Sequence, residues 1–278
     1  MRFRASGIAP LFLGRDGLTD VQIATLNKHL DRQLEWANED DAKLKKKLEL
    51  TDNMRNEMHA LLDKQNELEK GNVELSKGAQ TFIKDVVRQG IMKFSAPFGG
   101  NKYTEKGNQC EDMAIELYNS IFFKDYKKLV EGDEFYELSY GLVGGHPDIV
   151  DIDNKKVIDI KVPWSKDTFP DFEEDGESDL YKWQIRTYLY MLRKMTGDNT
   201  WSDGEIAYML IDTPEALVPE NDGDDLHMMS DLPNNLRSTI VTVTLTDEHV
   251  EHMDRRVAAA IKFADKYKQR LLNKNTNV

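Results

Sequence analysis

GHPDIVDIDNKKVIDIKVP, residues 145–163, is the stretch on which the fold turns. Two β-branched runs flank Asp153 and Asn154, residue types that tolerate the positive φ of a tight hairpin turn. With those two as the turn, residue 152 pairs with 155, and counting outward sets Asp148 opposite Asp159. Directly opposed side chains share a face, with Cβ atoms roughly 5 Å apart. Lys161 follows Asp159 by two positions and lies on that same face, while Ile158 and Ile160 lie on the other. A shift of the turn by one residue along both strands keeps this cluster together; a three-residue turn would not.

Two carboxylates and an ammonium on one strand pair are poor core material, because opposed like charges destabilise unless something cationic sits between them. A divalent ion is one such partner. Hard oxygen ligands favour Mg²⁺ or Mn²⁺, one ion or two, and Ile160 could add its backbone carbonyl to Asp148 and Asp159. The alternative is a solvent-facing ribbon carrying routine Asp and Lys.

Upstream, residues 107–123 read as a helix on which Glu111 lines up with Ala114, Ile115, Tyr118 and Phe122, an otherwise apolar face. An acid on a buried stripe needs a partner, and a metal is a candidate; Glu105 and Glu116 compete for the same role. Strands are predicted at 135–140, 147–152, 156–162, 205–212 and 239–244, and helices at 77–94, 180–195 and 247–272, with a loop at 96–100. The expected class is α/β, a mixed sheet flanked by helices.

No Gly falls between Gly17 and Gly71 and no Pro between Pro10 and Pro97. Leu26, Leu30, Leu34 and Ala37, then Leu44 and Leu48, then Met58, Leu61 and Leu68 follow steps of three and four. Asp41 and Arg55 interrupt the stripe, and Thr51 with Asp52 suits a new helix start. A helical hairpin or coiled-coil excursion over 20–75 is therefore expected, within a single domain of 1–278. The core spans 76–215, and a C-terminal strand and helix occupy 238–278. The excursion reads either as packing on its own domain or as an oligomer or partner contact.

Composition narrows the function. A net charge of −13, from 37 basic and 50 acidic residues, argues against a protein that coats polyanions, which needs clustered Lys and Arg. Acidic metal ligands would add to that count. The acidic segments 167–179 and 220–225 read as solvated loops. A lone cysteine, Cys110, excludes an internal disulfide and suits burial on its helix. No apolar run approaches the ~20 residues of a membrane span, and the patch at 8–13 lacks the features of a signal peptide. His146 reads as a turn histidine, and Gly99-Gly100 and Gly144-Gly145 match no phosphate-loop spacing.

A helix acid, then Pro147-Asp148, then Asp159-Ile160-Lys161 resembles the PD-(D/E)XK nuclease superfamily with its restriction-endonuclease-like core. QIRTY at 184–188 resembles the Gln-x-x-x-Tyr element of its RecB-type and phage exonuclease branch. RAS at 4–6 and YTEKGNQCE at 103–111 resemble phage lambda exonuclease-like, or YqaJ-like, viral recombinases. The resemblance covers roughly 1–15 and 76–215 but not the excursion. It implies a Mg²⁺-dependent DNA exonuclease working from duplex ends, 5′ to 3′, in phage-type recombination beside a single-strand annealing partner. The setting would be the cytoplasm of a bacterial or phage-infected cell; a homo-oligomer belongs to the reading in which the excursion is an oligomer contact. Glu111, Asp148, Asp159 and the Ile160 carbonyl would hold metal, and Lys161 would orient or activate water and stabilise phosphate charge. Gln184 and Tyr188 would support the site or touch DNA; Arg4 and Ser6 would bind a terminal phosphate. Asp159 stands where Glu is commoner, and Trp164 where small polar residues are usual. An endonuclease on the same core, and a catalytically silent scaffold, are the rival readings.

Overall fold

The hairpin at 145–163 forms one edge of the main sheet. In the computed structural model, which describes residues 2–14, 16–94, 100–221 and 223–274, the elements run in the following order. β1 (Phe3–Arg4) leads through a 3₁₀ turn, Ala5–Gly7, into α1 (Ala9–Phe12). Then come α2 (Asp20–Asn38), α3 (Ala42–Leu48), α4 (Asp52–Glu69), α5 (Lys77–Met92) and α6 (Lys102–Phe122). β2 (Leu138–Tyr140), β3 (Val143–Gly145), β4 (Ile149–Asp151) and β5 (Lys156–Lys161) follow. The chain closes with α7 (Asp179–Thr196), β6 (Asp203–Met209), β7 (Ser238–Thr244) and α8 (Asp247–Leu272).

The main sheet has the order β4-β5-β6-β7. β5 and β6 are parallel, with α7 as the crossover between them, and the other two pairs are antiparallel. Period-two alternation sorts the strands' side chains to two cores. Val157, Ile206, Val241 and Val243 pack towards α1, α5, α7 and α8. Ile149, Ile158, Ile160, Ala207 and Met209 pack towards α6. This is the expected mixed sheet between helical layers. β7 and α8 complete that sheet and its larger core rather than forming a separate unit. Among the described residues no helix is long and apolar enough to cross a membrane.

Several boundaries differ from expectation for local reasons. The strand predicted at 135–140 starts only at Leu138, because Phe135 has φ +65°. That strand belongs to a second, smaller sheet, β1-β3-β2, whose other two strands were not read from the sequence. Its central strand is a Val-Gly-Gly segment whose glycines admit close neighbours. A Cβ on Gly144 would lie 1.7 Å from Arg2 Nε, and one on Gly145 would lie 2.8 Å from Tyr188 Cε1. The loop expected at 96–100 falls almost wholly outside the described residues. The acidic segment 167–179 is not simply solvated. It lies along β6 and β7, where Glu173 Oε1 accepts the Thr242 amide at 2.9 Å and Tyr208 Oη donates to Gly176 O at 2.8 Å.

The excursion is a hairpin of α2 and α4 with α3 between them. Contacts Gln22–Lys64 and His29–Glu57 set the two long helices antiparallel. Thr19, Asp41 and Thr51 cap the three helices through their side-chain oxygens. Asp41 does break the stripe, but Arg55 does not, since α4 runs through it with Arg55 on the exposed side. Only Leu26, Met58 and Leu61 of the predicted stripe are buried, with Leu50; Leu34 stays 63% exposed and Leu44 48%.

Candidate active site

The register places the acids. Ile149 pairs with Ile158, Val150 with Val157 and Asp151 with Lys156, so the next position outward sets Asp148 opposite Asp159 as counted from the sequence. The turn itself differs. It is a four-residue loop, 152–155, whose positive φ lies at Lys155 (+54°) rather than at Asp153 or Asn154. Asp151 closes it by accepting the Asn154 amide at 3.0 Å. Replacing a two-residue turn by a four-residue loop adds one residue to each side, which leaves the pairing unchanged.

Asp159 follows Val157 onto the α7 side of the sheet and is 2% exposed. Lys161 makes an ion pair with its Oδ2 and lies over the Tyr181 ring, 4.6 Å from the centroid. Asp148 Oδ2 accepts the Ile160 amide at 2.8 Å. Across the end of the sheet, α6 brings Glu111 to the same cavity, of about 540 Å³, which Asp148, Asp159, Lys161 and Gln184 also line. Of the three acids that competed on this helix, Glu105 and Glu116 are exposed and neither lines that cavity. The cavity opens where β5 and β6 end, the side on which open α/β sheets bind ligands.

Negative charge is in surplus here. Burial pushes the Asp148 carboxyl well above the usual range, and the neighbouring Asp159 and Glu111 push it further. Burial would depress Lys161, but Asp159 and Asp148 outweigh it and hold the ammonium charged. Glu111 meets Lys128 at 2.9 Å through Oε2, while its buried Oε1 has no hydrogen-bond partner among the described residues. With Glu111 and Asp159 drawn onto lysines, no trio of His, Cys, Asp or Glu side chains is gathered in metal-holding geometry among those residues. The donor chemistry nevertheless suits a hard divalent cation: acids in excess, one orphaned carboxylate oxygen and a main-chain carbonyl beside them.

A buried chain of hydrogen bonds supports Asp159. Gln184 Nε2 donates to Asp159 Oδ1 at 2.9 Å and to Tyr188 Oη at 3.2 Å; Tyr188 Oη donates to His146 O at 2.9 Å. Tyr188 is only 2% exposed, so of the two roles open to it in the sequence, the geometry suits support rather than contact with DNA. Arg4 and Ser6 do not line the acidic cavity. Arg4 lines a separate one, of about 320 Å³, with Arg2, Phe82 and Gln89, and Ser6 is exposed on the following turn. His146 Nδ1 faces Tyr136 O at 3.1 Å. Cys110 is buried, its Sγ 3.7 Å from Asp212 O, and burial raises its thiol.

Sequence reasoning missed several members of the site. Lys128 and Tyr181 hold Glu111 and Lys161 but carry no motif of their own. Lys106 is wholly buried and donates to Pro163 O at 2.7 Å and Trp164 O at 2.9 Å; burial pushes it down to about 8. A signal did exist on α6. Tyr103, Thr104, Gly107, Asn108 and Glu111 recur at helical spacing, and all five line the cavity.

No family model matches the chain, and no curated relative does. Solved structures do. A phage-related exonuclease from Haemophilus somnus 129PT superposes with a TM-score of 0.62 at 24% identity, over 74% of this chain and 89% of that one. An alkaline exonuclease from Laribacter hongkongensis gives 0.50 at 13% identity, over 74% and 94%. Its complex with dAMP gives 0.50 at 14%, over 72% and 87%. The fold is theirs. The neighbours are covered more fully than this chain is, so this chain carries the larger share of sequence outside the common fold.

Proposed function

We propose that this chain is a divalent-cation-dependent deoxyribonuclease that hydrolyses DNA from duplex ends, 5′ to 3′. The observation that carries the reading is the meeting of Asp148, Asp159 and Lys161 on one face at the end of β5, with Glu111 reaching the same cavity from α6. The likeness to phage-related and alkaline exonucleases supports it. Glu111, Asp148, Asp159 and the Ile160 carbonyl would hold the ion or ions. Bound there, Mg²⁺ or Mn²⁺ would supply Lewis acidity, offsetting phosphate charge and acidifying a nearby water. Lys161, held charged, acts as a donor that orients the water and meets a phosphate oxygen. Gln184 fixes the Asp159 carboxylate, and Tyr188 fixes Gln184. Arg4, which lines a separate cavity, and the exposed Ser6 would meet a terminal 5′ phosphate.

The test is end-labelled linear duplex against closed circular DNA, each with Mg²⁺ and with excess chelator. Linear DNA should be degraded from its ends and only with metal. Cleavage in chelator would remove the metal from the reading, cleavage of closed circles would turn it to an endonuclease, and no cleavage of either would leave a scaffold. Self-association and a single-strand annealing partner belong to the same proposal. Elution of the chain at the mass of one copy in size-exclusion chromatography would remove the homo-oligomer.

A further inference from the structure

Tyr103 and Trp164 line the same cavity as the acids, and the catalytic reading leaves them without a role. Tyr103, in the first turn of α6, is 53% exposed, and its hydroxyl makes no hydrogen bond among the described residues. Beneath it Trp164 is nearly buried. The two rings meet edge to face, centroids 5.3 Å apart at 72°. His227 braces Trp164 in the same way from another side, again at 5.3 Å and 72°. Lys102 Nζ lies 4.4 Å from the Trp164 centroid and 5.4 Å from that of Tyr103. The main chain of Trp164 is also pinned: its carbonyl accepts Lys106 Nζ at 2.9 Å and Thr213 Oγ1 at 2.8 Å. Trp164 stands three residues after Lys161, so the aromatic wall is held on the same segment as the catalytic lysine.

This is a braced ring facing a cavity, with a cation beside it. Packing accounts for Trp164 but not for the exposed face of Tyr103. A nucleobase offers a π face whatever its identity, and stacking on an aromatic side chain is therefore tolerant of sequence. That tolerance is what an enzyme removing successive nucleotides requires. A cation over the same rings adds electrostatic attraction to the stack and lies where the strand's phosphate would pass.

We propose, building on the nuclease reading above, that Tyr103 is the stacking platform for the terminal nucleobase beside the scissile phosphate. Trp164 holds the platform, and Lys102 meets the adjoining phosphate. Tyr103 is thus a specificity-determining residue that recognises the presence of a base, not which base it is.

The experiment compares a normal terminal nucleotide with an abasic one, in binding of a short labelled oligonucleotide in chelator and in cleavage with Mg²⁺. The wild-type chain should bind the abasic end more weakly, by about 5- to 100-fold. Tyr103→Ala should bind both ends at the weaker level, and Tyr103→Phe should keep the discrimination. Tyr103→Leu separates stacking from packing, since it covers Trp164 without a π face; it should lose the discrimination as Tyr103→Ala does. Retention of wild-type discrimination by the Ala or Leu variant would overturn the platform, as would its absence in the wild type. Wild-type discrimination in binding without cleavage in Mg²⁺ would sink the nuclease reading and leave the platform standing.

Discussion

Asp16 and Asp148 are both enclosed carboxylates, yet their surroundings push them in opposite directions. Asp16, in the segment between α1 and α2, accepts His252 Nδ1 at 2.8 Å, Arg256 Nε at 2.7 Å and Arg255 Nε at 3.2 Å from α8. Burial alone would raise it; His252 and Arg256 override that and bring it down to about 2. Asp148 has one amide donor, and both burial and its acidic neighbours drive it upward. The first cluster has its counter-charges built into the chain and joins two distant segments. The second sets only Lys161 and Lys128 against three acids, so the rest of its balance has to come from outside. A buried charge matched within the chain is a structural device. One left in surplus marks a place where a cation or substrate completes the site.

The largest effect expected from this contrast is on cleavage. Asp148→Asn or Asp159→Asn should lower the rate by more than about 10³-fold, the scale on which a site loses its main electrostatic group. Measured in chelator, the Tm of either variant should hold or rise, because like-charge repulsion falls. Near-parental cleavage, or a marked drop in Tm, would put Asp148 and Asp159 in the structural class with Asp16.

Asp16→Ala should do the reverse. Removing the carboxylate that His252, Arg255 and Arg256 share should destabilise the chain by roughly 3–5 kcal/mol in urea titration, while cleavage per folded molecule stays within about twofold. A smaller change than 1 kcal/mol would mean that the cluster is ornamental. The same carboxyl sets a pH signature. Its folded value of about 2 lies below its ordinary 3.8, so its stabilising contribution, roughly 2 kcal/mol, is fully present above pH 4 and is lost as pH falls through 2. Acid titration of stability in the wild type and in Asp16→Asn should diverge above that window and converge below it.

Gln184→Ala tests the support of Asp159 and should cost about 10- to 100-fold in metal affinity or rate, as loss of a partner behind a ligand does. An unchanged metal titration would show that Asp159 needs no orienting group. Smallest and most selective, Arg4→Ala should slow digestion of 5′-phosphorylated ends by about tenfold and spare hydroxyl ends. Equal slowing on both would end the case for terminal-phosphate recognition and make Arg4 a part of the fold like Arg2, which bonds Leu138 O at 2.7 Å.

The residues 148, 159 and 161 could be placed on one face from sequence because a strand's period is two and the pairing of a hairpin survives an even change in its loop. For the same reason the error over the turn at 152–155 did no harm to the site. Glu111 was legible only as one acid among three, and α6 had to be seated against β5 before Glu105 and Glu116 dropped out. The caps at Thr19, Asp41 and Thr51 were local and partly readable; the exposure of Leu34 and Leu44 was not, because a stripe states which residues share a face and not whether anything covers it.

What tertiary structure alone decided are the partners across long separations. Asp16 meets Arg256, β1 pairs with β3, Lys106 pins Trp164, and Lys128 meets Glu111. Periodicity and turn chemistry act over a few residues and fix which side of an element a residue occupies. Which charge balances which, and therefore which acids are left in surplus, depends on how whole elements pack.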